Sequence, residues 1–357
     1  MFAPKRRAPI NLSATFLLMF LLLGGCASSA NKPGSAVAAN YSERDDVREF
    51  VNEMVAEGFS EALLLEAFAQ AKYQQSIIDA ISRPAEKTLT WAEYQDIFLT
   101  ERRAEGGKAF IRQHRAAFEA AEKQYGVPIP VIASIIGVET YYGRITGKYR
   151  VIDSLSTLAF DYPPRSKFFR SELKEFLRLT KEENQLIQDP LGSYAGAMGY
   201  GQFISSSYRN YAVDFDGDGL RDIWRNPVDA IGSVANYLSR HGWEAGEAVT
   251  VTALVDPTTS QELFNVALKP NRSISELSNL GIRPDSAVEA LLPGSAKVSA
   301  MRLEGKRGPE YWLGYNNFYV ITRYNHSKLY AMAVFQLSER IRAGLEMEKA
   351  DSRQLES

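Results

Sequence analysis

The chain has 357 residues, 45% of them apolar, with 41 Lys and Arg against 43 Asp and Glu for a net charge of −2. This slight acidity argues against a nucleic-acid partner, which calls for a basic face, and the single cysteine excludes an intramolecular disulfide. Stability must then come from a hydrophobic core, with a bound metal as the available staple, and the length predicts two or three domains.

In chain order, Lys5, Arg6 and Arg7 precede the apolar run Phe16 to Leu23, followed by Gly24, Gly25 and Cys26. A basic start before a short apolar run reads as a secretory signal, too short for a comfortable membrane span. Leu23-Gly24-Gly25-Cys26 has the form of a bacterial lipobox, so Cys26 is expected to be diacylated and to become the mature N-terminus. An ordinary signal peptide with an incidental cysteine is the other reading. Several acyl chains anchor firmly where one is marginal. Ala27 after the cysteine, in place of Asp, fits sorting to the periplasmic face of the outer membrane. Removing residues 1–25 leaves 332 residues at −5. Residues 26–41 are small and polar, a flexible tether.

Beyond it, Val47, Phe50, Val51, Met54 and Val55 recur at helical spacing and Gly58 closes the helix. Leu64, Leu65, Phe68 and Ala69 mark a second helix. Thr90 and Glu93 form a capping box opening a third, with Trp91, Tyr94 and Phe98. Ala109–Tyr125 and Val131–Val138 read as helices, and Thr180 with Glu183 is expected to cap another. Asn226-Pro227 is an N-cap with proline at the first helical position, leading into Ala230, Ile231, Val234 and Leu238. The texture then changes: Val249–Val255 and Val298–Leu303 suggest strands, Tyr311–Tyr324 an extended segment, and Leu329–Ile341 a final helix. The fold class is mainly α with a small β part (α+β). The expected divisions are an N-terminal helical region at 42–125, a core at 126–244, a small β-containing insertion at 245–312 and a return segment at 313–345.

Glu139 follows directly on the apolar stretch Val131–Val138. A carboxylate at the end of a core helix is expensive to ionise unless paired, which is how a glutamate becomes a general acid near neutral pH. A structural ion pair with Arg144 is the alternative. Further on, Gly192-Ser-Tyr-Ala-Gly-Ala-Met-Gly-Tyr-Gly-Gln-Phe203 carries four glycines in ten residues, letting backbone approach a ligand closely. Ser193 and Gln202 supply hydrogen bonds, and Met198 and Phe203 an adaptable apolar wall. The combination suits a sugar. Asp214-Phe-Asp216-Gly-Asp218-Gly-Leu220-Arg-Asp222 has the spacing of an EF-hand calcium loop, with the Leu220 carbonyl at position 7, but Arg225 replaces the bidentate Glu at position 12.

Gly137-Val-Glu-Thr-Tyr-Tyr-Gly143, Gly192 to Phe203, Ala235-Asn-Tyr-Leu238 and Asn317-Phe-Tyr-Val-Ile-Thr-Arg-Tyr-Asn325 together resemble the lytic murein transglycosylase B family, from about residue 45 to the C-terminus. The resemblance implies a lysozyme-like helical catalytic core flanked by further α and small β regions. Glu139 matches the catalytic acid/base, Ser193 and Gln202 residues lining the glycan site, and Tyr94, Tyr237 and Asn317 positions that contact the saccharide. Arg165 is a weaker match. Asp229 matches the carboxylate completing the calcium site, which would be structural. Glycosidases usually use two carboxylates. The resemblance implies instead that Glu139 alone cleaves between N-acetylmuramic acid and N-acetylglucosamine, leaving a 1,6-anhydro ring and consuming no water. The expected partner is the peptidoglycan strand, approached by a lipid-anchored monomer without an organic cofactor, and other cell-wall enzymes are candidate partners. A water-using muramidase and a non-catalytic peptidoglycan-binding lipoprotein are the alternatives.

Overall fold

The computed structural model describes residues 40–82, 89–285 and 293–355. The basic leader, the apolar run, Cys26 and most of the expected tether lie outside the described residues.

Seven helices come first: α1 (Asp45–Ala56), α2 (Glu61–Gln70), α3 (Gln75–Ile81), α4 (Trp91–Phe98), α5 (Glu101–Gln113), α6 (Arg115–Tyr125) and α7 (Ile129–Thr140). The expected capping box is present: Glu93 donates its backbone N–H to the Thr90 hydroxyl, and its carboxylate accepts from the Thr90 backbone N–H. The single helix expected over 109–125 is two, broken at His114, which ends α5 and begins α6 outside helical geometry. α7 follows Pro128 at its N-cap and is buried on every side from Val131 to Val138. Each such aliphatic side chain contributes roughly 1.5–3 kcal/mol, so α7 is the axle of the molecule.

A two-residue strand, β1 (Tyr149–Arg150), leads into α8 (Val151–Asp161) and α9 (Ser166–Glu182). Thr180, expected to start a helix, lies in the last turn of α9, where its hydroxyl donates to the Leu177 carbonyl. β2 (Leu191–Gly192) pairs antiparallel with β1, and α10 (Ser205–Tyr211) and α11 (Pro227–Arg240) follow, the latter capped by Asn226 onto the Val228 N–H.

Between α11 and the last two helices the chain makes a five-stranded antiparallel sheet from β3 (Thr250–Val255), β4 (Arg272–Ser273), β5 (Ile282–Pro284), β6 (Lys297–Gly305) and β7 (Gly308–Gly314), in the order β4-β6-β7-β3-β5. A short helix, α12 (Ile274–Ser278), packs on it. This part has its own apolar cluster, including Val251, Phe264, Leu277, Ile282 and Leu313. The extended segment expected over Tyr311–Tyr324 is half strand and half helix: β7 ends at Gly314 and α13 (Asn316–Tyr324) begins two residues later. The sequence turns there from alternation to helical spacing, with Phe318, Val320 and Ile321 buried together. α14 (Lys328–Leu355) then runs back along α7, α5 and α4. Buried side chains from α1 to α11 and from α13 and α14 form one continuous cluster spanning the first helices and the core. Among the described residues no helix is long and apolar enough to cross a membrane.

Candidate active site

Glu139 occupies the last turn of α7, half-buried, at the point where the helix breaks. Tyr141, Tyr142 and Gly143 all take left-handed backbone geometry, with φ of 52°, 61° and 81°. Aromatic residues rarely accept it, at a cost on the order of 1–3 kcal/mol each. Tertiary contacts hold it. The Tyr142 hydroxyl donates to the Arg103 carbonyl at 2.8 Å, and its ring lies over Gly137, where a Cβ would come within 2.6 Å of that hydroxyl. The Thr140 hydroxyl donates to the Tyr200 carbonyl at 2.9 Å and accepts from the Gly143 N–H at 3.0 Å. A Cβ on Gly143 would stand 2.0 Å from the Tyr200 ring. The Gly137–Gly143 motif is thus a helix end folded tightly onto the glycine-rich segment.

That segment forms a small hairpin. Met198 and Phe203 exchange backbone hydrogen bonds at 2.9 and 3.0 Å, with Gly199, Tyr200, Gly201 and Gln202 as the turn. Gly199 has φ 68°, and a Cβ there would meet the Ile223 carbonyl at 2.3 Å. Gln202 is itself left-handed, at φ 49°. Its amide nitrogen donates to the Thr146 and Gly199 carbonyls, while its Oε1 has no partner among the described residues. An orphaned acceptor in a nearly buried amide calls for a donor from a ligand. Met198 and Phe203 are buried behind the turn.

Opposite α7, aromatic rings from α11, α13 and α14 close the site. The Tyr330 hydroxyl on α14 donates to Glu139 Oε1 at 2.6 Å. Tyr324, at the end of α13, stacks on Tyr330 with centroids 6.4 Å apart and planes within 9°, and donates to the Gly201 carbonyl at 2.5 Å. Burial, with the Glu139 charge adding to it, pushes both phenols well above their ordinary range, so both remain donors. Tyr237 on α11 stacks on His241, meets Tyr324 edge-on at 4.7 Å and donates to the Arg323 carbonyl at 2.6 Å. Phe203 touches both Tyr237 and Tyr324. Arg144, the alternative partner for Glu139, holds its guanidinium over the Tyr141 ring, 4.9 Å from the centroid.

Among the residues expected at the site, the structure thus gathers Met198, Gln202, Phe203 and Tyr237 with Tyr324 and with Tyr330, the hydrogen-bond partner of Glu139. Two others sit differently. The Ser193 side chain is wholly buried, and its hydroxyl accepts from the Ala195 and Ala197 N–H groups of its own turn. Asn317 is also wholly buried: its Oδ1 accepts from the Glu244 N–H at 2.8 Å and its Nδ2 donates to the Glu244 and Glu247 carbonyls. Both N–H groups of that amide and one acceptor position of its oxygen tie α13 to the 244–247 turn. Tyr94 is 1% exposed, packed on Phe98 at 4.7 Å and close enough to Tyr330 to affect it. Sequence reasoning missed Tyr330 altogether and passed over Tyr324 inside a quoted motif. Their signal, a tyrosine on an otherwise apolar helix face, is shared by ordinary core residues.

The acidic loop lies beside this centre, between α10 and α11. Carboxylate oxygens of Asp214, Asp216, Asp218 and Asp229 all fall within 4.8 Å of one another. Asp214 accepts from the N–H groups of Gly217, Asp218 and Gly219, with Gly217 and Gly219 at positive φ. Asp229 is fully buried and accepts from the Phe215 and Asp222 N–H groups at 2.7 and 2.9 Å. Burial nevertheless raises its carboxyl above the usual range. Among the described residues no lysine or arginine forms an ion pair with any of the four. Four carboxylates this close without a cationic side chain fit a divalent cation with oxygen ligands. Asn226, next to Arg225 at position 12, donates its amide to Asp216.

Residues 42–339 match the family model described as the transglycosylase SLT domain. The membrane-bound lytic murein transglycosylase B of Escherichia coli (strain K12) is 38% identical over 92% of this chain and 96% of its own length. The catenated lytic transglycosylase SltB1 of Pseudomonas aeruginosa superposes with a TM-score of 0.81 at 50% identity, covering 85% of this chain and 99% of that one. The Escherichia coli lytic transglycosylase SLT35 in complex with calcium superposes at 0.77 with 40% identity, over 85% of this chain and 95% of the other. With the model matched from the first helices to α14 and close relatives over nearly the full length, the chain belongs to the transglycosylase SLT family, among the lytic murein transglycosylases of type B.

Proposed function

We propose that the chain is a peptidoglycan lytic transglycosylase in which Glu139 serves as both acid and base. The observation that carries this reading is the Glu139 carboxyl, held by Tyr330 at the broken end of a buried helix whose next residue, Thr140, is hydrogen-bonded to the glycine-rich hairpin that holds the orphaned Gln202 oxygen. In the first step Glu139, protonated, gives its proton to the oxygen bridging N-acetylmuramic acid to N-acetylglucosamine, and the C1–O bond breaks. The muramic acid 2-acetamido oxygen stabilises the oxocarbenium-like centre. Glu139, now a carboxylate receiving the Tyr330 hydrogen bond, takes the proton of the same sugar's C6 hydroxyl. That oxygen bonds to C1 and closes the 1,6-anhydro ring. The nucleophile is already tethered to the reacting sugar, so proximity replaces a water molecule. Gln202 Oε1 accepts from a sugar N–H or hydroxyl, Met198 and Phe203 back the apolar face, and Tyr237 and Tyr94 keep the aromatic wall in place. Ser193 holds the turn that carries the hairpin.

The acidic loop takes a Ca2+ through Asp214, Asp216, Asp218, Asp229 and the Leu220 carbonyl. A bound Ca2+ would offset half of the four negative charges and hold the loop to α11 through Asp229. Cys26 carries the lipid anchor on the periplasmic face of the outer membrane, a reading supported by the membrane-bound relative. Incorporation of labelled palmitate, lost in Cys26→Ala, tests it.

The central test is digestion of purified sacculi with the soluble form (residues 27–357) and with Glu139→Gln, read by mass spectrometry. Anhydro-muropeptides from the wild type only are expected. Products heavier by one water would make the enzyme a hydrolase, and no product from either protein would leave a binding module.

A further inference from the structure

A second cavity, of about 570 Å³, opens where the helical core meets the sheet, walled by the turn after α11, the start of α13 and the loops before β4 and β6. Its volume lies in the range of small-molecule sites. Its charges divide by origin. Glu244 and Glu247 come from the core side, Lys269 and Lys297 from the sheet side, and Asn316 sits between them. Neither lysine has an ion-pair partner among the described residues, nor has Glu247. Tyr315 lines the cavity as well. It is 4% exposed, and its hydroxyl is buried with no hydrogen-bond partner among the described residues. A buried phenol without a partner is rare in a finished core and points to a ligand that supplies one. The core-side wall is rigid: Asn317 ties residues 244 and 247 to α13 with three hydrogen bonds, and Tyr315 donates its N–H to the Val249 carbonyl at 3.0 Å.

We infer that this cavity binds a zwitterionic peptide, the stem peptide of peptidoglycan, with its carboxylates toward Lys269 and Lys297, its ammonium toward Glu244 and Glu247, and a polar group on the Tyr315 hydroxyl. Paired walls of opposite sign suit a ligand bearing both charges a few ångströms apart. A neutral glycan would gain nothing from them, and a polyanion would meet two carboxylates. The inference rests on peptidoglycan being the substrate, but the site stands apart from Glu139 and its partners. α13 separates them: its nine residues span about 13 Å from the cavity at Asn316 to the Tyr324 that stacks on Tyr330, the donor to Glu139.

The test titrates the wild-type soluble chain with the free tetrapeptide L-alanyl-γ-D-glutamyl-diaminopimelyl-D-alanine, which has no glycosidic bond to cleave, by isothermal calorimetry at low salt. Saturable binding is expected, weakened about tenfold by Lys269→Glu with Lys297→Glu, since each exposed pair contributes little alone. Tyr315→Phe should weaken it severalfold without lowering the melting temperature. On sacculi the double variant should raise KM, with no change on glycan strands stripped of peptide by an amidase. Absence of saturable binding, binding indifferent to all three substitutions, or displacement of the peptide by N-acetylglucosamine tetramer would each overturn the inference. Failure of the catalytic reading shows separately, as Glu139→Gln digesting sacculi like the wild type while the peptide titration is unaffected.

Discussion

Replacing Tyr330 by Phe removes one hydroxyl and leaves the ring. That hydroxyl is 2.6 Å from Glu139 Oε1, on a residue 2% exposed. A hydrogen bond to a charged acceptor in such a place contributes roughly 1.5–3 kcal/mol. It is strongest when Glu139 carries its charge, which in the proposed mechanism develops as the glutamate yields its proton to the glycosidic oxygen. The loss therefore falls on the transition state, and about 2 kcal/mol predicts a kcat reduced about thirtyfold with KM unchanged. The phenylalanine ring keeps its stack on Tyr324, and Oε1 sits on a half-buried residue within reach of water, so the melting temperature should move little. The assay is release of anhydro-muropeptides from sacculi at limiting and saturating substrate, with thermal unfolding measured beside it. A kcat within twofold of wild type would refute the argument. So would a rise in KM alone, which would make Tyr330 a substrate contact.

Four other outcomes follow from the same geometry. Burial pushes the Glu172 carboxyl up to about 7 from an ordinary 4.5, despite the Ser206 N–H it accepts. Because the folded value is raised, its ionisation costs nothing near pH 4 and costs about 3 kcal/mol above pH 7, so Glu172→Gln should raise thermal stability at pH 8 and change it little at pH 4.5. Equal shifts at both pH values would contradict this. Chelation should lower the melting temperature by several degrees and Ca2+ should restore it, since a hundredfold excess over Kd contributes about 3 kcal/mol; Asp229→Asn should abolish the response. Asn317→Ala strands an N–H and two carbonyls and should cost about 2–4 kcal/mol of stability, with the KM of the remaining folded enzyme on glycan strands stripped of peptide unchanged. A raised KM at constant stability would return Asn317 to the glycan. Gly143→Ala, with φ 81° and a Cβ 2.0 Å from the Tyr200 ring, should lower both stability and activity by separating α7 from the hairpin. Wild-type kinetics would show that the contact is dispensable.

What the sequence makes legible, and what it hides, follows from the range of the forces involved. The Thr90 capping box, the Asn226-Pro227 start and the acidic loop are local chemistry, and each appears where the residues place it. Apolar Val131–Val138 reads as a buried helix, and Glu139 stands out as the charged residue that ends it. By contrast, Thr180 has the letters of a capping box but sits inside an amphipathic helix that packing extends past it. Asn317 looks like a ligand-facing amide, yet it spends itself on a turn some seventy residues earlier in the chain. Tyr330 is 191 residues from Glu139, and only the course of α14 along α7 brings them together. The left-handed pair Tyr141–Tyr142 shows the limit most clearly. Local preference disfavours that conformation for aromatic residues, so no reading of neighbours would assign it. It exists because Arg103, Gly137 and the hairpin at Tyr200 together outweigh the strain. The same contacts stop α7 one residue after Glu139, so that the carboxyl leaves the core and meets the site. A violated local rule beside a carboxylate marks where the fold was shaped by chemistry instead of by packing alone.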